Sequence, residues 1–535
     1  SEKLKSNASI NWLEQGSLTP NNNYKRLNLR LNNNYAFTEQ VSAIFDVNYK
    51  RAIKRSPSQS TDDIFGVYRI APIWDDYYQD GRYAPGRSGE NPVALANLGG
   101  TLSGEFNVLG ARIGLEFEPI KRLKLKAIVA PTLGFDRETN FKKVVEYTDV
   151  LDPSQVIFTS GTVNTLRETS HNQETLNIQA TANYDFAYKE NKFEFLAGFE
   201  DNREKTEDLT QGRDGYLFPD YTLINSGSPA IQTTAGYASE TALRSYFGRI
   251  AYNFKDRYHL QINGRYDGSS RFAADYRWGF FPSIAGGWTL SEEPFAKKIL
   301  GNTYLKIRAS WGRLGNQKIS GNSYPYISSV TLANNLFYDN GVIKSLTTGD
   351  VRTQNIKDLS WETTESYNLG LDLKLFRERL AITAEGYKKN TYDLLRSIPI
   401  LSYIGLNASP QNVAEIQTYG WDLGLSWRDK VGELKYHIEA NVSDSKTNVE
   451  DLKGTKDLND KALIEGQEFE VYYGYKSLGF LTQKDLDNKV ALISGTEQPG
   501  DMRYADISGP AGIPDGKITG DDRVPLKSST PHYVF

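Results

Sequence analysis

The chain of 535 residues contains no cysteine. Disulfides and thiolate metal sites are therefore excluded, and the sequence leaves the redox compartment open. The chain also lacks any run that approaches the ~18 consecutive apolar residues of a transmembrane helix. Its net charge is −4, and no long basic segment is present. Nucleic acid is therefore not an expected partner.

Neither a signal peptide nor a catalytic motif is visible, and for an exported protein we expect the signal to lie upstream of this sequence. The first residues, SEKLKSNASINW, contain no apolar core followed by a cleavage site, so they do not form a signal peptide. The four histidines show no HExxH or paired-ligand spacing, and no GxSxG motif is present. The four histidines are His171, His259, His437 and His532. We expect solvated polar roles for them and no enzymatic activity.

The chain does contain extended alternation of apolar and polar residues. One example is the stretch RYHLQINGRYDGSSRFAADYRWGFFPSIAGGWTLSEEP at 257–294. Similar segments occur near 8–15, 26–37, 41–50, 111–119, 122–132, 174–188, 192–203, 241–255, 303–312, 368–375, 379–393, 417–428 and 434–446. No amphipathic helical pattern of comparable length competes with them, so the sequence predicts a nearly all-β chain.

The connections between these segments alternate between short and long. The short ones are 38–40, 118–122, 189–191, 255–256 and 377–378, and the long ones are 51–110, 131–173, 204–240, 313–360 and 391–416. Outer-membrane barrels have short periplasmic turns and longer extracellular loops in this order. We therefore predict a large antiparallel transmembrane β-barrel in a bacterial outer membrane. The alternative, a very large soluble sandwich or propeller, is disfavoured because no blade-length repeat is visible.

Aromatic residues are placed as such a barrel requires. Tyr258 and Tyr266 are separated by eight positions, about 26 Å along a strand. With a tilt of about 40° this becomes roughly 20 Å along the membrane normal, close to the height of an apolar band between aromatic girdles. We expect Leu260 and Ile262 to face lipid, whereas Asn263 faces the lumen.

The returning strand of this stretch supplies two further expectations. Trp288 lies near its end, where an aromatic ring suits the periplasmic interface. Pro282 is expected at the start of this strand, where a missing N–H group costs least.

Several motifs resemble those of the SusC/RagA family of TonB-dependent outer-membrane transporters, in the order found in that family. They are GRYDGSSRF (264–272), RWGFFPS (277–283), SEEPF (291–295), LKIRASWGRLGNQ (305–317), LSWETTESYNLGLDLKLFRERL (359–380) and PGDMRYADISG (499–509). The resemblance implies a barrel of about 22 strands with an internal plug domain. It also implies a SusD-like surface lipoprotein as partner, and uptake of glycan or peptide oligomers energised by TonB.

The sequence departs from that family in extent. About sixteen strands can be recognised from alternation, and no plug or TonB-contacting segment is visible. We interpret 1–535 as a partial TonB-dependent-receptor-type β-barrel domain that contacts TonB through an N-terminal segment outside this sequence. The chain ends at Phe535, just inside an expected strand. Because open sheet edges are costly in hydrocarbon, we expect that 1–535 alone does not form the native barrel.

Residues 70–85, IAPIWDDYYQDGRYAP, are the candidate contact segment for substrate or partner. In this segment Trp74, Tyr77, Tyr78 and Tyr83 are interleaved with aspartates. Flat aromatic faces beside carboxylates suit stacking on sugar rings and hydrogen bonding to hydroxyl groups. An equally weighted alternative is that the connection folds inward and uses these rings as its own small core.

The segment 506–523, DISGPAGIPDGKITGDDR, offers hard oxygen ligands of the kind that Ca²⁺ prefers. The spacing of a calcium loop is not met, because residues 509–514 interrupt it. A plain acidic loop without a bound cofactor is the favoured expectation.

Three classes of function follow. The leading hypothesis is an importer of glycan or peptide oligomers that works with a surface lipoprotein and TonB. The alternative is a structural or scaffold barrel in a larger envelope complex. An enzyme barrel is disfavoured because no catalytic constellation was found. The sequence does not identify the substrate or the oligomeric state.

Overall fold

The structure is a computed structural model that describes residues 3–59, 73–87, 91–301, 303–319, 323–351, 355–397, 403, 405–407, 409–455, 458, 461–509 and 512–531. Parts of the interpretations above lie outside these residues, namely 70–72 of the aromatic segment, 510–511 of the acidic segment, His532 and Phe535.

Fifteen strands form one large antiparallel sheet, which confirms the nearly all-β fold. In sheet order they are β1 (Leu4–Gly16), β2 (Asn23–Ala36), β3 (Val41–Pro57), β4 (Gly100–Ile120), β5 (Leu123–Lys142), β8 (Thr165–Tyr188), β9 (Asn191–Asp214), β10 (Gln232–Phe254), β11 (Tyr258–Ser269), β12 (Trp278–Thr289), β13 (Tyr304–Asn316), β16 (Glu362–Leu375), β17 (Leu380–Ser397), β18 (Pro410–Val431) and β19 (Leu434–Asp451).

The remaining strands form small sheets in the connections and near the C-terminus. Two are hairpins, made of β6 (Glu146–Thr148) with β7 (Val156–Thr159) and of β14 (Thr331–Asp339) with β15 (Val342–Asp350). The others are β20 (Lys461–Ala462), β21 (Val471–Tyr475) and β24 (Arg523–Pro525) in one sheet, and β22 (Ser477–Phe480) with β23 (Met502–Tyr504) in another.

The α-helices within the described residues are short. They are α1 (Pro92–Leu98), α2 (Pro294–Leu300) and α3 (Gln483–Asp487). Within the part of the chain that the structure describes, none of them has the length and apolarity needed to cross a membrane.

One compact unit comprises Ser1–Tyr184 and Leu196–Tyr246. On its sheet, Ile113 of β4 lies between Phe45 of β3 and Val129 of β5. These side chains are exposed by 41–55% and form part of one apolar face, because successive residues of a strand alternate between faces. The buried apolar residues lie instead in the connections and near the strand ends beside them, as in the cluster of Phe141, Leu166 and Tyr216.

The second unit comprises Asp185–Phe195 and Phe247–Phe535. Here β11 pairs with β12 so that Tyr258 lies opposite Trp288 and Ile262 opposite Ile284. Asn263 pairs with Ser283 on the other face. The apolar residues of β11 and those of β12 therefore lie on the same face of the sheet, as the sequence predicted.

Pro282 shows where that sequence interpretation was wrong. β12 begins at Trp278, so Pro282 lies inside the strand and opposite Gly264 of β11. The pairing of β12 with β13 starts only at Ser283. Proline is thus tolerated because the ladder on that side has already ended at this position.

The long connections are shorter than predicted because strands extend beyond their apolar segments. The long connections are 58–99, 143–164, 215–231, 317–361 and 398–409, and the short ones are 37–40, 121–122, 189–190, 255–257, 376–379 and 432–433. Two connections on the side of the long ones, 17–22 and 270–277, have intermediate lengths. The alternation of connection lengths fails at 290–303. This connection lies on the side of the short ones, but it contains helix α2 and is therefore long.

The short turns use backbone conformations that suit tight antiparallel hairpins. Lys255 and Asp256 both have positive φ, of 57° and 56°, as the primed turns of two-stranded ribbons require. The Asp256 backbone N–H donates to the Asn253 side chain at 2.9 Å, and Lys192 pairs with the Asp256 carboxylate at 3.0 Å. Local polar contacts therefore fix this turn.

Candidate functional site

The described part of the candidate contact segment folds around a tight turn. Gly81 has φ +85° and donates its backbone N–H to the Tyr78 carbonyl at 3.0 Å. The Tyr78 N–H in turn donates to the Arg82 carbonyl. This turn brings the rings of Tyr77 and Tyr83 to a centroid distance of 4.9 Å. A hydrogen bond with Tyr83 raises the pKa of Tyr77.

Arg82 attaches this turn to the next long connection. Its guanidinium donates to Thr148 Oγ1 at 2.5 Å and to the Asp149 carbonyl at 2.9 Å. It also binds the Asp80 carboxylate, which lowers the pKa of that group, and lies 5.3 Å from the centroid of the Tyr78 ring. Tyr78 is therefore half-buried and held in place.

Asn91 joins the turn to helix α1. Its Oδ1 accepts hydrogen bonds from the backbone N–H groups of Val93 and Ala94, which is an N-cap. Its Nδ2 donates to the carbonyls of Asp76 and Ala84 at 2.8 and 2.7 Å. Only 2% of Asn91 is exposed, so one buried amide orders both segments.

Beneath the turn lies a small apolar core formed by Ala94, Val145 and Tyr147, and Tyr83 packs against it. Tyr147 is fully buried, and this burial raises its pKa to about 12. Tyr83 therefore acts as a support, as the alternative interpretation of this segment described.

Trp74 and Tyr77 are placed differently, with 44% and 47% of their surface exposed. Asp75 and Asp76 beside them are also exposed. Two rings and two carboxylates are thus presented on a fixed turn, which suits contact with an oligomer or a protein surface. A contact role for the four aromatic residues stays a prediction.

A charged network that alternation alone did not locate lies on the polar face of the second unit. Arg308 of β13 binds Asp372 of β16 at 3.1 Å and also binds Glu385 of β17. Asn368 donates to the second oxygen of Glu385 at 3.0 Å. The partners are 64 and 77 positions from Arg308 in the chain. Only the register of three strands brings these groups together.

Two open grooves flank this network on the same face. One, of about 430 Å³, is lined by basic groups that include Lys192, Lys306 and Arg308. The other, of about 490 Å³, is lined by acidic groups that include Glu385 and Asp422. Polar oligomers can contact charges of both signs along this surface.

Each described histidine contacts one or two polar side chains, and the second partners are Asn253 for His259 and Ser426 for His437. His171 Nδ1 lies 2.5 Å from Asp208, His259 Nε2 lies 3.2 Å from the Thr289 hydroxyl, and His437 Nε2 lies 2.9 Å from Glu439. Across the described residues, no group of three or more His, Cys, Asp or Glu side chains is placed to hold a metal ion.

In the acidic segment the carboxylates accept hydrogen bonds from the backbone. Asp522 is fully buried and accepts from the N–H groups of Ile507, Ser508 and Thr519 at 2.7–2.9 Å. These bonds lower its pKa. Asp506 similarly accepts from Gly516. Both carboxylates therefore brace the loop from within.

Comparison with known sequences gives consistent results. The sequence model of the family described as "TonB dependent receptor-like, beta-barrel" matches residues 3–463. TonB-dependent receptor P26 of Formosa agariphila is 27% identical over all of this chain and 54% of its own length. TonB-dependent receptor SusC of Bacteroides thetaiotaomicron is 32% identical over 47% of this chain and 25% of its own length. The chain thus spans about half the length of the curated relatives that it matches along its whole length.

Solved structures agree on the fold. A structure of the RagAB peptide transporter is matched by all of this chain and over 58% of its own chain, with a TM-score of 0.77 and 20% identity. The ferric-catecholate import receptor Fiu of Escherichia coli is matched by 88% of this chain and over 64% of its own, with a TM-score of 0.52 and 10% identity. The chain is therefore an outer-membrane protein, and it belongs to the TonB-dependent receptor-like β-barrel family.

Proposed function

We propose that this chain is the barrel part of an active importer of glycan or peptide oligomers, energised by TonB. The protein transports these oligomers and does not catalyse a reaction on them. One similar structure is described as a peptide transporter, which supports a peptide oligomer as substrate. One relative is named TonB-dependent receptor SusC, which supports coupling to TonB.

The observation that carries the proposal is the difference between the two faces of the sheet. In the second unit one face presents Leu260, Ile262 and Ile284 to the surroundings. The opposite face carries the Arg308 network and the two charged grooves. A wall with lipid on one side and a polar path on the other needs this arrangement.

Uptake by cells that express the complete gene is the direct test. Labelled oligosaccharides and oligopeptides of graded length should enter these cells, and the entry should stop when TonB is deleted. Binding at the surface without TonB-dependent entry would instead favour a structural or scaffold barrel within an envelope complex.

We propose a surface lipoprotein of the SusD type as the partner. The hairpin β14–β15 presents large apolar side chains to solvent, with exposed fractions of 66–78% at Leu332, Leu336, Tyr338 and Ile343. The register places all four on one face of the ribbon. An exposed apolar row of this kind is typical of a protein contact surface.

Purification in mild detergent tests this partnership. A lipoprotein should be recovered in near-equal amount with the barrel protein. In a separate binding experiment, the double variant Trp74→Ala and Tyr77→Ala should reduce oligomer binding by the complex of barrel protein and lipoprotein. Isolation of the barrel protein alone with full uptake activity would contradict the assignment of a partner.

We propose that the acidic segment functions without calcium. Asp506 and Asp522 are already engaged by backbone N–H groups. A calcium titration followed by calorimetry should therefore give the same heat for the unchanged protein and for the Asp521→Asn and Asp515→Asn variants. A binding heat lost in these variants would show that the loop holds the ion.

A further inference from the structure

The apolar face of the first unit contains a groove of about 530 Å³. Strand register places Ala127 beside Ala180 and Leu125 beside Ala182. Small side chains, including Ala197, thus form the floor, and Leu125 and Phe199 belong to the walls. The apolar lining of the groove suits a hydrocarbon chain.

An ion cluster begins where this groove ends. Asp201 follows Phe199 on the same face of β9, and only 6% of it is exposed. Its carboxylate binds Arg244 Nη2 at 2.6 Å and Arg203 Nε at 2.9 Å. The Arg244 guanidinium lies 6.0 Å from the centroid of the Phe199 ring. Phe199 therefore belongs to both the groove and the cluster.

The cluster has unbalanced charge. Two guanidinium groups minus one carboxylate leave a net charge of +1. The arginine side chains are still 56% and 47% exposed, so their remaining N–H groups can bind a further anion. Asp201 pre-orients both guanidinium groups, which lowers the entropy that binding would cost.

The cluster lies at the edge of the apolar band. The two-residue turn between β8 and β9 places Tyr188 opposite Asn191, and the contact of Thr169 with Thr210 fits the same register. Leu176 of β8 is therefore level with Arg203 of β9. Leu176 is apolar and 37% exposed. The cationic groups of β9 are therefore as deep as an apolar residue of the next strand. Lipid phosphates occupy this level of a membrane.

Acidic groups further along β9 limit where an anion can bind. Lys205 is paired with Glu207 at 2.7 Å and also lies close to Glu174 and Glu240. These groups sum to −2, so this next level repels an anion. Arg203 and Arg244 are thus the groups that a phosphate beside the groove would meet.

We propose that this surface binds a phosphorylated glycolipid of the lipid A type, with an acyl chain in the alanine-floored groove and a phosphate on Arg203 and Arg244. The outer leaflet is assigned because β9 runs from the short turn 189–190 towards the long connection 215–231. The choice of leaflet rests on the proposed function, in which long connections are extracellular.

Native mass spectrometry of the full-length protein in mild detergent tests the site. The probes are bisphosphorylated lipid A, the same lipid without phosphates, and phosphatidylglycerol. Bisphosphorylated lipid A should bind best. Arg203→Gln with Arg244→Gln should weaken its binding about tenfold, since charge-assisted hydrogen bonds to phosphate are lost. Ala180→Phe should reduce binding of every acylated probe by filling the groove.

Arg112→Gln is the matched control, because Arg112 is also ion-paired, with Asp46 at 2.6 Å, but lies on the polar face. It should leave lipid binding unchanged, and a heat-modifiable gel band should confirm that each variant is folded. Equal binding of lipid A with and without phosphates, tighter binding of phosphatidylglycerol, or full binding by the double arginine variant would each overturn the site. These readouts need neither uptake nor TonB, so they are independent of the transport assay.

Discussion

Two hairpins of the second unit, β11–β12 and β14–β15, expose apolar side chains for different reasons. In β11–β12, Leu260 and Ile262 are exposed by 39% and 43%, and in β14–β15, Leu336 and Tyr338 are exposed by 73% and 78%. Both hairpins are antiparallel ribbons with an apolar row on one face. The exposed fractions alone do not show whether lipid or a protein partner contacts each hairpin.

Their neighbours in the sheet do distinguish them. The apolar row of β12 continues across β13 and β16, where Trp288 lies opposite Ile307 and Ile307 opposite Leu371. The hairpin β14–β15 forms a separate two-stranded sheet. A continuous apolar face fits a lipid bilayer, whereas an isolated apolar ribbon fits a protein partner.

The largest effect is expected for arginine on the lipid-facing row. Leu260→Arg or Ile262→Arg should cost about 2–4 kcal/mol near the middle of the bilayer and strongly reduce insertion, measured as heat-modifiable protein in outer-membrane fractions. Asn263→Arg on the polar face and Leu336→Arg in the hairpin are matched controls that should insert normally. Equal loss in all four variants would remove the distinction between the two hairpins.

Accessibility on intact cells should separate the two ends of the strands. A peptide tag between Asn340 and Gly341 should be bound by antibody, because the hairpin belongs to a long connection. A tag in the short turn at 189–190 should be reached only after the outer membrane is permeabilised. The opposite labelling pattern would invert the topology.

A smaller effect is expected for association with the partner. Leu336→Asp together with Tyr338→Asp should reduce the amount of co-purified lipoprotein at least tenfold, because buried apolar anchors dominate such contacts. Asn335→Asp lies on the other face of the same ribbon and is the control. Unchanged recovery in the double variant, with normal insertion, would place the partner elsewhere.

The smallest effect is expected at two glycines. Gly341 has φ +82° in the two-residue turn of β14–β15, so Gly341→Ala should destabilise that ribbon by about 1 kcal/mol. Gly286 of β12 has open space around its Cα, so Gly286→Ala should be nearly neutral. Hydrogen exchange of the backbone amides in β14–β15 and in β11–β12 measures the two effects. An equal loss of protection in the two variants would show that the positive φ of Gly341 does not cause the destabilisation.

The hairpin β14–β15 also shows where sequence interpretation was incomplete. Residues 313–360 were predicted only as a long connection, although Asn340-Gly341 is a strong hairpin signal. Alternation in β14 is interrupted by Asn334, which obscures the apolar row. The extensions of β8 and β9 were missed for a related reason. They are polar and are paired by contacts such as Arg167–Asp214 at 2.5 Å, whereas alternation is visible in a sequence only where one of the two rows of side chains is apolar.

The aromatic connection was predictable only in part. The sequence located its four rings, but it could not separate Trp74 and Tyr77, which are exposed, from Tyr83, which supports a core. That separation depends on Asn91 and Tyr147, whose contacts cross from one connection to another. Such contacts have no local period in the sequence.

The sequence by itself determined the β class and the faces of the strands that it identified, because side chains of an extended chain alternate with a period of two. It also determined most of the alternation of connection lengths. Tertiary structure decided which polar groups meet, as when Arg308 binds Asp372 and Glu385 from two other strands. It also decided which apolar rows continue into a sheet and which stand alone. Register between distant strands sets both outcomes, and register is a property of pairing that no single strand contains.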